Sequence, residues 1–282
     1  MLPMIGFARA FFNSKYGYDI LRNLVAARYT YTLALIFGET IVFQRPQDVE
    51  IKVAPFEMKL AILSDFDGTV TLNDTFENVL EKFAQGDWRA VDDQYVKGEI
   101  TLEECLRRQG AMVRTSKSKI LDELNEFTKF RPGFDNLIDY CKTNRYPLVL
   151  VSAGLDFVIK HFLRREKWRN KVELYAAAAK CTPTGIKFDF PKLKDNRSIS
   201  LKDDTVRYYK TKADTVAYFG DGRWDLHALR NSDLRFTIRG SKLAELCKEQ
   251  DVQATTVSNF KEVVTFLQRR MSERDSWQGE SE

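Results

Sequence analysis

The stretch ILSDFDGTVTLNDT, residues 62–75, decides the fold, because in it an apolar run leads directly into carboxylates. Asp65 and Asp67 stand two positions apart, and side chains at that spacing on a strand point to the same side. Two negative charges placed together cost free energy unless a cation or a proton is held between them. The stretch therefore predicts a buried strand that ends in a site for a cation.

The composition predicts a soluble protein that binds neither nucleic acid nor a membrane. Of the 282 residues, 44% are apolar and 30% are charged, and the net charge of +4 is spread along the chain. Four cysteines without a CxxC pair argue against a zinc site and fit a reducing compartment, so we expect a cytoplasmic protein. The most apolar stretch, residues 31–43, is too short to span a bilayer and contains Glu39, and no secretory signal is evident.

The order of the predicted elements divides the chain into an extension, a core, a cap and a tail. The core alternates strands and helices, which implies a parallel sheet with helices on both faces. The predicted fold is therefore α/β, a Rossmann-like core with an all-helical cap inserted after the first strand. The predicted boundaries are 1–57 for the N-terminal extension, 58–71 and 132–267 for the core, 72–131 for the cap and 268–282 for the polar tail, whose last part, SERDSWQGESE, we predict to be disordered.

Capping residues mark three helix starts within the cap. Asp74 precedes a helix with an apolar face, Thr101 and Glu104 form the pattern of a capping box, and Ser116 opens the third helix. The extension before Met58 shows no clean period. We expect residues 1–57 to add nothing to the site, and the alternative is an accessory segment that packs on the core or binds a partner.

Three predicted strands end in residues suited to phosphate and metal. The first ends at Asp65 and Asp67, the second at residues 152–154 (Ser-Ala-Gly), and the third in GDGRWD, with Asp221 and Asp225. In a parallel α/β sheet, ligands bind beyond the carboxyl ends of the strands, so these residues converge if the strands are neighbours. Carboxylates and phosphate oxygens together are the ligands that Mg²⁺ prefers.

In this order, DFDGTVT, VSAG, a downstream lysine and GDGRWD resemble the four motifs of the haloacid dehalogenase superfamily of phosphohydrolases. The helical insert after the first motif resembles the cap of the phosphoserine-phosphatase-like branch. The resemblance covers residues 58 to about 267. It implies a Mg²⁺-dependent phosphatase that acts on a small phosphorylated metabolite, as a monomer or homodimer.

The resemblance also implies a role for each motif residue. Asp65 would be the nucleophile that forms an aspartyl-phosphate, and Asp67 the general acid and then the base, a role that needs a shared proton or a raised pKa. Asp65, the backbone carbonyl of Asp67 and Asp221 would surround Mg²⁺, with Asp225 supporting them. The substrate's phosphate would be bound by Ser152, Ala153, Gly154 and Thr69.

Several lysines could serve as the third motif. The candidates before the last motif are Lys194, Lys202, Lys210 and Lys212. We prefer Lys202, because it opens a predicted helix and lies 19 positions before Asp221, close to the spacing in the family. Trp224 departs from the family pattern, since that position is usually small or polar, and would either shield the metal site or pack.

The cap residues bear on the substrate. In phosphoserine phosphatases a cap acid binds the ammonium and a cap arginine binds the carboxylate, and the alignment places Asp74 and Gln109 at those positions. The segment EKFAQGDWRAVDDQYVKGEI resembles instead the cap of 2-hydroxy-3-keto-5-methylthiopentenyl-1-phosphate phosphatases of methionine salvage. Trp88 would either help to build its pocket or belong to the core of the cap. We expect a phosphatase of that subfamily. Phosphoserine phosphatase and a non-catalytic module that binds a phosphorylated ligand are the alternatives.

Overall fold

The computed structural model describes residues 58–279, and it describes side-chain surroundings as far as residue 271. The expectations for residues 1–57 lie outside this part. Within it, no helix is both long and apolar enough to cross a membrane.

A six-stranded parallel sheet forms the centre of the described part, as the sequence predicted. Its strands are β1 (Met58–Ser64), β2 (Leu148–Ser152), β3 (Glu173–Ala176), β6 (Ala213–Gly220), β7 (Leu234–Ile238) and β8 (Thr255–Val257). Their spatial order is β3-β2-β1-β6-β7-β8. Strands β2 and β3 lie on one side of β1, and the strands that follow later in the chain, β6, β7 and β8, lie on its other side. The crevice where this order reverses, between β1 and β6, is where ligands bind in such sheets.

Strand β1 lies in the middle of the sheet because its residues are apolar on both faces. Leu60 and Ile62 belong to one buried cluster, and Ala61 and Leu63 belong to another. The alternation follows from the two-residue period of a strand. Both faces are therefore covered, which explains the continuous apolar run that begins the sequence motif.

Four helices between β1 and the rest of the core form the insert: α1 (Thr75–Phe83), α2 (Trp88–Val96), α3 (Leu102–Met112) and α4 (Lys117–Phe127). The three predicted caps are present. The side chains of Asp74, Thr101 and Ser116 accept backbone N–H groups at 2.8, 3.2 and 3.3 Å. Such a bond satisfies one of the four free donors at a helix start.

The remaining helices surround the sheet: α5 (Phe134–Asn144), α6 (Asp156–Arg165), α7 (Leu201–Lys210), α8 (Leu226–Asn231), α9 (Lys242–Glu249) and α10 (Phe260–Gly279). A 3₁₀ turn, Arg223–Asp225, precedes α8. The prediction of a disordered tail is wrong as far as Gly279, because α10 continues to that residue. The segment contains no proline, and each residue added to an existing helix gains a hydrogen bond without a new nucleation cost.

An antiparallel hairpin, β4 (Ala178–Thr182) and β5 (Gly185–Asp189), leaves the sheet and packs on the cap helix α3. The contact is close at Gly110, in α3. A Cβ built on this glycine would lie 2.7 Å from the Ile186 carbonyl oxygen and 2.8 Å from the Phe188 ring.

The substitution Gly110→Ala therefore has two opposing effects on the free energy of unfolding, one from helix propensity and one from the contact with the hairpin. Helix propensity alone would stabilise the protein by roughly 1 kcal/mol. The close contact with the hairpin should outweigh this gain and lower the free energy of unfolding by about 1–2 kcal/mol, as overpacking usually does. Urea denaturation measures the difference. A more stable variant would contradict the packing of β5 on α3.

Candidate active site

The loop after β1 brings Asp65 to the centre of the sheet's carboxyl edge. The Asp65 N–H donates to the Phe219 carbonyl of β6 at 2.9 Å, which continues the strand pairing by one residue. Gly68 has φ +71°, and a Cβ there would lie 2.1 Å from Asp221 Oδ2. Glycine is thus required for both the backbone conformation and the close approach to Asp221.

Lys202 lies against Asp65. Its Nζ is 2.8 Å from Asp65 Oδ2 and 2.7 Å from Asp225 Oδ1, and it is 4% exposed. Burial acts to lower the pKa of this ammonium, but the two carboxylates outweigh burial and hold the pKa above its usual value. Lys202 is therefore charged.

The other lysines considered for the third motif lie elsewhere. Lys194 is over the Tyr208 ring at 3.9 Å, Lys212 is near the same ring at 5.9 Å, and Lys210 pairs with Asp233. Lys202 is thus the candidate that the fold places at the carboxylates.

Asp225 is completely buried and accepts four hydrogen bonds. Its Oδ1 accepts from Lys202 Nζ and Tyr218 Oη, both at 2.7 Å. Its Oδ2 accepts from the backbone N–H groups of Asp221, at 3.1 Å, and Gly222, at 2.9 Å. A carboxylate has about four lone-pair sites, so those of Asp225 are all in use. Asp225 therefore shapes the turn and orients Lys202 rather than binding a metal directly.

Asp65, Asp221 and Asp225 each place one carboxylate oxygen within 4.8 Å of the others. Burial raises the pKa of Asp65 well above its usual range, against the pull of Lys202. Burial, followed by the charge of Asp225, raises the pKa of Asp221 to about 7. Crowded carboxylates with raised pKa values are the electrostatic condition that a divalent cation relieves.

The donor set fits a hard cation such as Mg²⁺, which prefers carboxylate oxygens. Because the oxygens of Asp225 are occupied, Asp65 and Asp221 are the side chains that would hold it. Thr69 supports this arrangement, since its hydroxyl donates to Asp221 Oδ1 at 2.9 Å.

The side chain of Asp67 turns toward the start of the cap. Its Oδ1 accepts from the backbone N–H of Thr75 at 3.0 Å and from the Thr75 hydroxyl at 2.5 Å. Burial raises its pKa to about 7, and the charge of Asp74 adds to the rise. A carboxyl group with this pKa can both give and take a proton near neutral pH, as a general acid and base must. The metal contact expected of the Asp67 backbone carbonyl stays a prediction.

The end of β2 contributes Ser152, which is 1% exposed. Its Oγ accepts from the backbone N–H of Gly154 at 3.0 Å, which tightens the turn before α6. Ser152, Ala153 and Gly154 line the same cavity as the carboxylates.

This cavity, which we call the chamber, has a volume of about 240 Å³ and lies between the sheet edge and the cap. Gln109, Trp88 and Asp74 line it from the cap. Trp224 also lines it and stacks on Tyr95 of α2, with ring centroids 3.7 Å apart. Trp224 therefore joins the core to the cap.

The sequence reading missed Arg131, which holds the loop after β1. Its Nε donates to the Thr69 carbonyl at 2.8 Å, its Nη2 to the Gly68 carbonyl at 2.7 Å and its Nη1 to the Ser258 carbonyl at 3.3 Å. It also missed Tyr218, which lies in the buried second half of β6 and donates its hydroxyl to Asp225. The available signal was a tyrosine within the apolar run VAYFG, because a buried tyrosine hydroxyl usually needs a hydrogen-bond partner.

Comparisons with known proteins agree with this geometry. The sequence matches the haloacid dehalogenase-like hydrolase family over residues 62–230. It is 26% identical over 220 residues to the 2-hydroxy-3-keto-5-methylthiopentenyl-1-phosphate phosphatase of Brevibacillus brevis, covering 76% of this chain and 98% of that protein. It is 24% identical over 221 residues to Pdp3-interacting factor 1 of Schizosaccharomyces pombe, covering 75% and 96%.

A solved structure of a phospho-aspartyl intermediate analogue of phosphoserine phosphatase superposes with a TM-score of 0.56 at 16% identity. It covers 74% of this chain and 99% of that one. This likeness concerns the fold.

Because Asp225 and Asp221 have different hydrogen-bond partners, neutralising each of them should change the free energy of unfolding differently. Asp225→Asn should lower the free energy of unfolding by about 3 kcal/mol, because it leaves the buried ammonium of Lys202 half paired. Asp221→Asn should leave stability in EDTA nearly unchanged, since it removes a like charge from the cluster. Urea denaturation of both variants measures this.

Magnesium provides the second measurement. Mg²⁺ should raise the melting temperature of the unmodified protein, because a ligand that binds only the folded state stabilises it. Asp221→Asn should abolish that increase. Equal destabilisation by the two substitutions in EDTA would contradict the separate roles.

Proposed function

The chain belongs to the haloacid dehalogenase-like hydrolase family, and we propose that it is a Mg²⁺-dependent phosphomonoesterase that works through an aspartyl-phosphate on Asp65. The observation that carries the proposal is the position of the Asp65 carboxylate. It stands at the end of the central strand, lines the chamber and has one oxygen 2.8 Å from the Lys202 ammonium.

The residues of the chamber account for two chemical steps. A carboxylate oxygen of Asp65 attacks phosphorus, the bond from phosphorus to the leaving oxygen breaks, and Asp67 donates its proton to that oxygen. Asp67, now a carboxylate, takes a proton from water, whose oxygen attacks phosphorus and releases phosphate from Asp65. Lys202 reduces the repulsion between Asp65 and the phosphate. Bound Mg²⁺ would supply further positive charge to the phosphoryl oxygens.

The chamber favours a substrate without a carboxylate beside the phosphate ester. Of its lining residues, all within the described range, Lys202 is the sole cation, and two carboxylates already engage it. Gln109 stands where phosphoserine phosphatases carry an arginine, and its amide donates to the Trp88 carbonyl at 3.4 Å. A substrate carboxylate would therefore be desolvated without a cationic partner, which is costly. This supports 2-hydroxy-3-keto-5-methylthiopentenyl-1-phosphate, the substrate in the name of the Brevibacillus relative.

Phosphoserine is the second candidate, because acidic residues of the cap suit an ammonium group. The carboxylates of Asp74, Glu77 and Asp92 line the chamber. Asp74, to which the sequence resemblance assigns the ammonium, is exposed and accepts the Glu77 N–H at 2.8 Å. A module that binds a phosphorylated ligand without turnover is the remaining alternative, and the kinetic experiments below distinguish it.

Replacing Asp65 by Asn should abolish hydrolysis of small phosphate esters in the presence of Mg²⁺. The amide matches the carboxylate in size but cannot form the acyl phosphate, so kcat should fall by a factor on the order of 10³ or more. The free energy of unfolding should also fall, because Lys202 loses one of its two carboxylates, so turnover is compared under conditions in which circular dichroism shows the variant folded. Asp189→Asn, a substitution of an exposed carboxylate outside the chamber, is the matched control and should keep full activity. Substantial turnover by Asp65→Asn would rule out the nucleophile assigned here.

Gln109→Arg should change the selectivity. In the unmodified protein phosphoserine should be a poor substrate, by roughly a hundredfold in kcat/KM against an uncharged keto or enol phosphate of similar length. The arginine should narrow this ratio by pairing with the phosphoserine carboxylate. The measurement is kcat/KM for both substrates with both proteins. A preference of the unmodified protein for phosphoserine would favour the second candidate.

A further inference from the structure

A second cavity of about 230 Å³, which we call the annex, adjoins the chamber. The two share a wall that includes the residues placed at the reacting phosphate. The residues that line both cavities are Leu102, Leu106, Ser152, Ala153, Lys202 and Trp224. A molecule whose phosphate lies in the chamber therefore has the annex within direct reach.

The annex differs from the chamber in its chemistry. Carboxylates dominate the polar lining of the chamber, whereas most of the annex wall is apolar. Beyond the shared residues, its apolar lining consists of Ala177, Phe190, Pro191, Leu193, Ile199 and Leu201. The one carboxylate of the wall, Glu103, is exposed. An apolar group is therefore the occupant that this wall stabilises.

The loop that forms the annex presents an apolar side chain to solvent. Ile199 is 62% exposed, more than any other large hydrophobic residue in the described part of the chain. The loop is anchored, since Ile199 N–H donates to Asp203 Oδ2 at 3.2 Å and Lys194 N–H to Asp204 Oδ1 at 2.9 Å. It leads directly into α7, which carries Lys202. An anchored loop thus holds an uncovered isoleucine beside the catalytic groups.

We propose that the annex binds a short, uncharged, apolar tail of the substrate while its phosphate lies in the chamber. This inference rests on the proposed function, because it takes the occupant to be the rest of the ester that Asp65 attacks. The tail is short, since the annex is below the roughly 300–1,000 Å³ of pockets for drug-sized molecules. The tail would cover Ile199.

A tail bound away from the reacting bond contributes the same binding free energy to the bound substrate and to the transition state. Such binding lowers KM and leaves kcat unchanged. Each methylene that enters the annex should raise kcat/KM roughly fourfold, from the transfer free energy of a methylene group. The gain should stop once the annex is filled.

The test uses n-alkyl phosphates from methyl to hexyl with Mg²⁺, and three proteins. The unmodified protein should show KM falling with chain length at constant kcat. Ile199→Ser should flatten this gradient while retaining its kcat for methyl phosphate. Val96→Ser is the matched control, because Val96 is also an exposed large hydrophobic residue, at 45%, but lines neither cavity. It should keep the gradient.

Binding of n-alkylphosphonates, measured by calorimetry in Mg²⁺, separates this inference from the proposed function. Affinity that rises with chain length in the unmodified protein and not in Ile199→Ser would support the annex even if no ester were hydrolysed, an outcome that would overturn the proposed function alone. Hydrolysis of all the esters with equal kcat/KM would overturn the annex and leave the proposed function standing. Equal flattening by Val96→Ser would also overturn it.

Discussion

The structure depends on one buried ammonium held between two carboxylates. Lys202 Nζ touches Asp65 from the end of β1 and Asp225 from the turn after β6. Removing either partner would leave a charge uncompensated at a depth where that costs several kcal/mol. Three segments far apart in sequence must therefore meet at this point. The same contact that selects their arrangement also places the proposed nucleophile at the switch point of the sheet.

The cluster carries more negative than positive charge, so it cannot also be the source of the loop's rigidity. Asp221 adds a third carboxylate, and burial, with the charges of the neighbouring carboxylates adding to it, raises the pKa values of Asp65 and Asp221. The loop is held instead through its backbone, because Arg131 binds the carbonyl oxygens of Gly68 and Thr69. The Asp65 oxygens accept one hydrogen bond each, from the Phe66 N–H and from Lys202, and Asp221 Oδ1 accepts one from Thr69, so both carboxylates keep lone pairs for a cation. Rigid support around unbalanced charge is what a preorganised metal site requires.

The fold and the convergence of motif residues could be predicted from the sequence because both depend on local pattern. Apolar runs ending in Asp65 and Asp221 identify strands and their carboxyl ends without knowledge of the partners. Arg131 could not be found this way, because its partners are distant in the sequence. Thr69 lies 62 positions before it and Ser258 lies 127 positions after it. The annex was missed for the same reason: its wall combines α3 with a loop that has no sequence periodicity. The short edge strand β8 and the extended α10 also lacked a distinct local signal.

Trp224 is joined to α2 of the cap by a weaker interaction than those that hold the charge cluster. The stack of Trp224 on Tyr95 contributes on the order of 1 kcal/mol beyond its buried area. Breaking it is therefore compatible with movement of α2 on the timescale of turnover, whereas breaking the contacts of Lys202 is not. Because Trp224 lines both cavities, the same movement would open the chamber and the annex together. Closure of the cap over a bound substrate excludes water from the carboxylates.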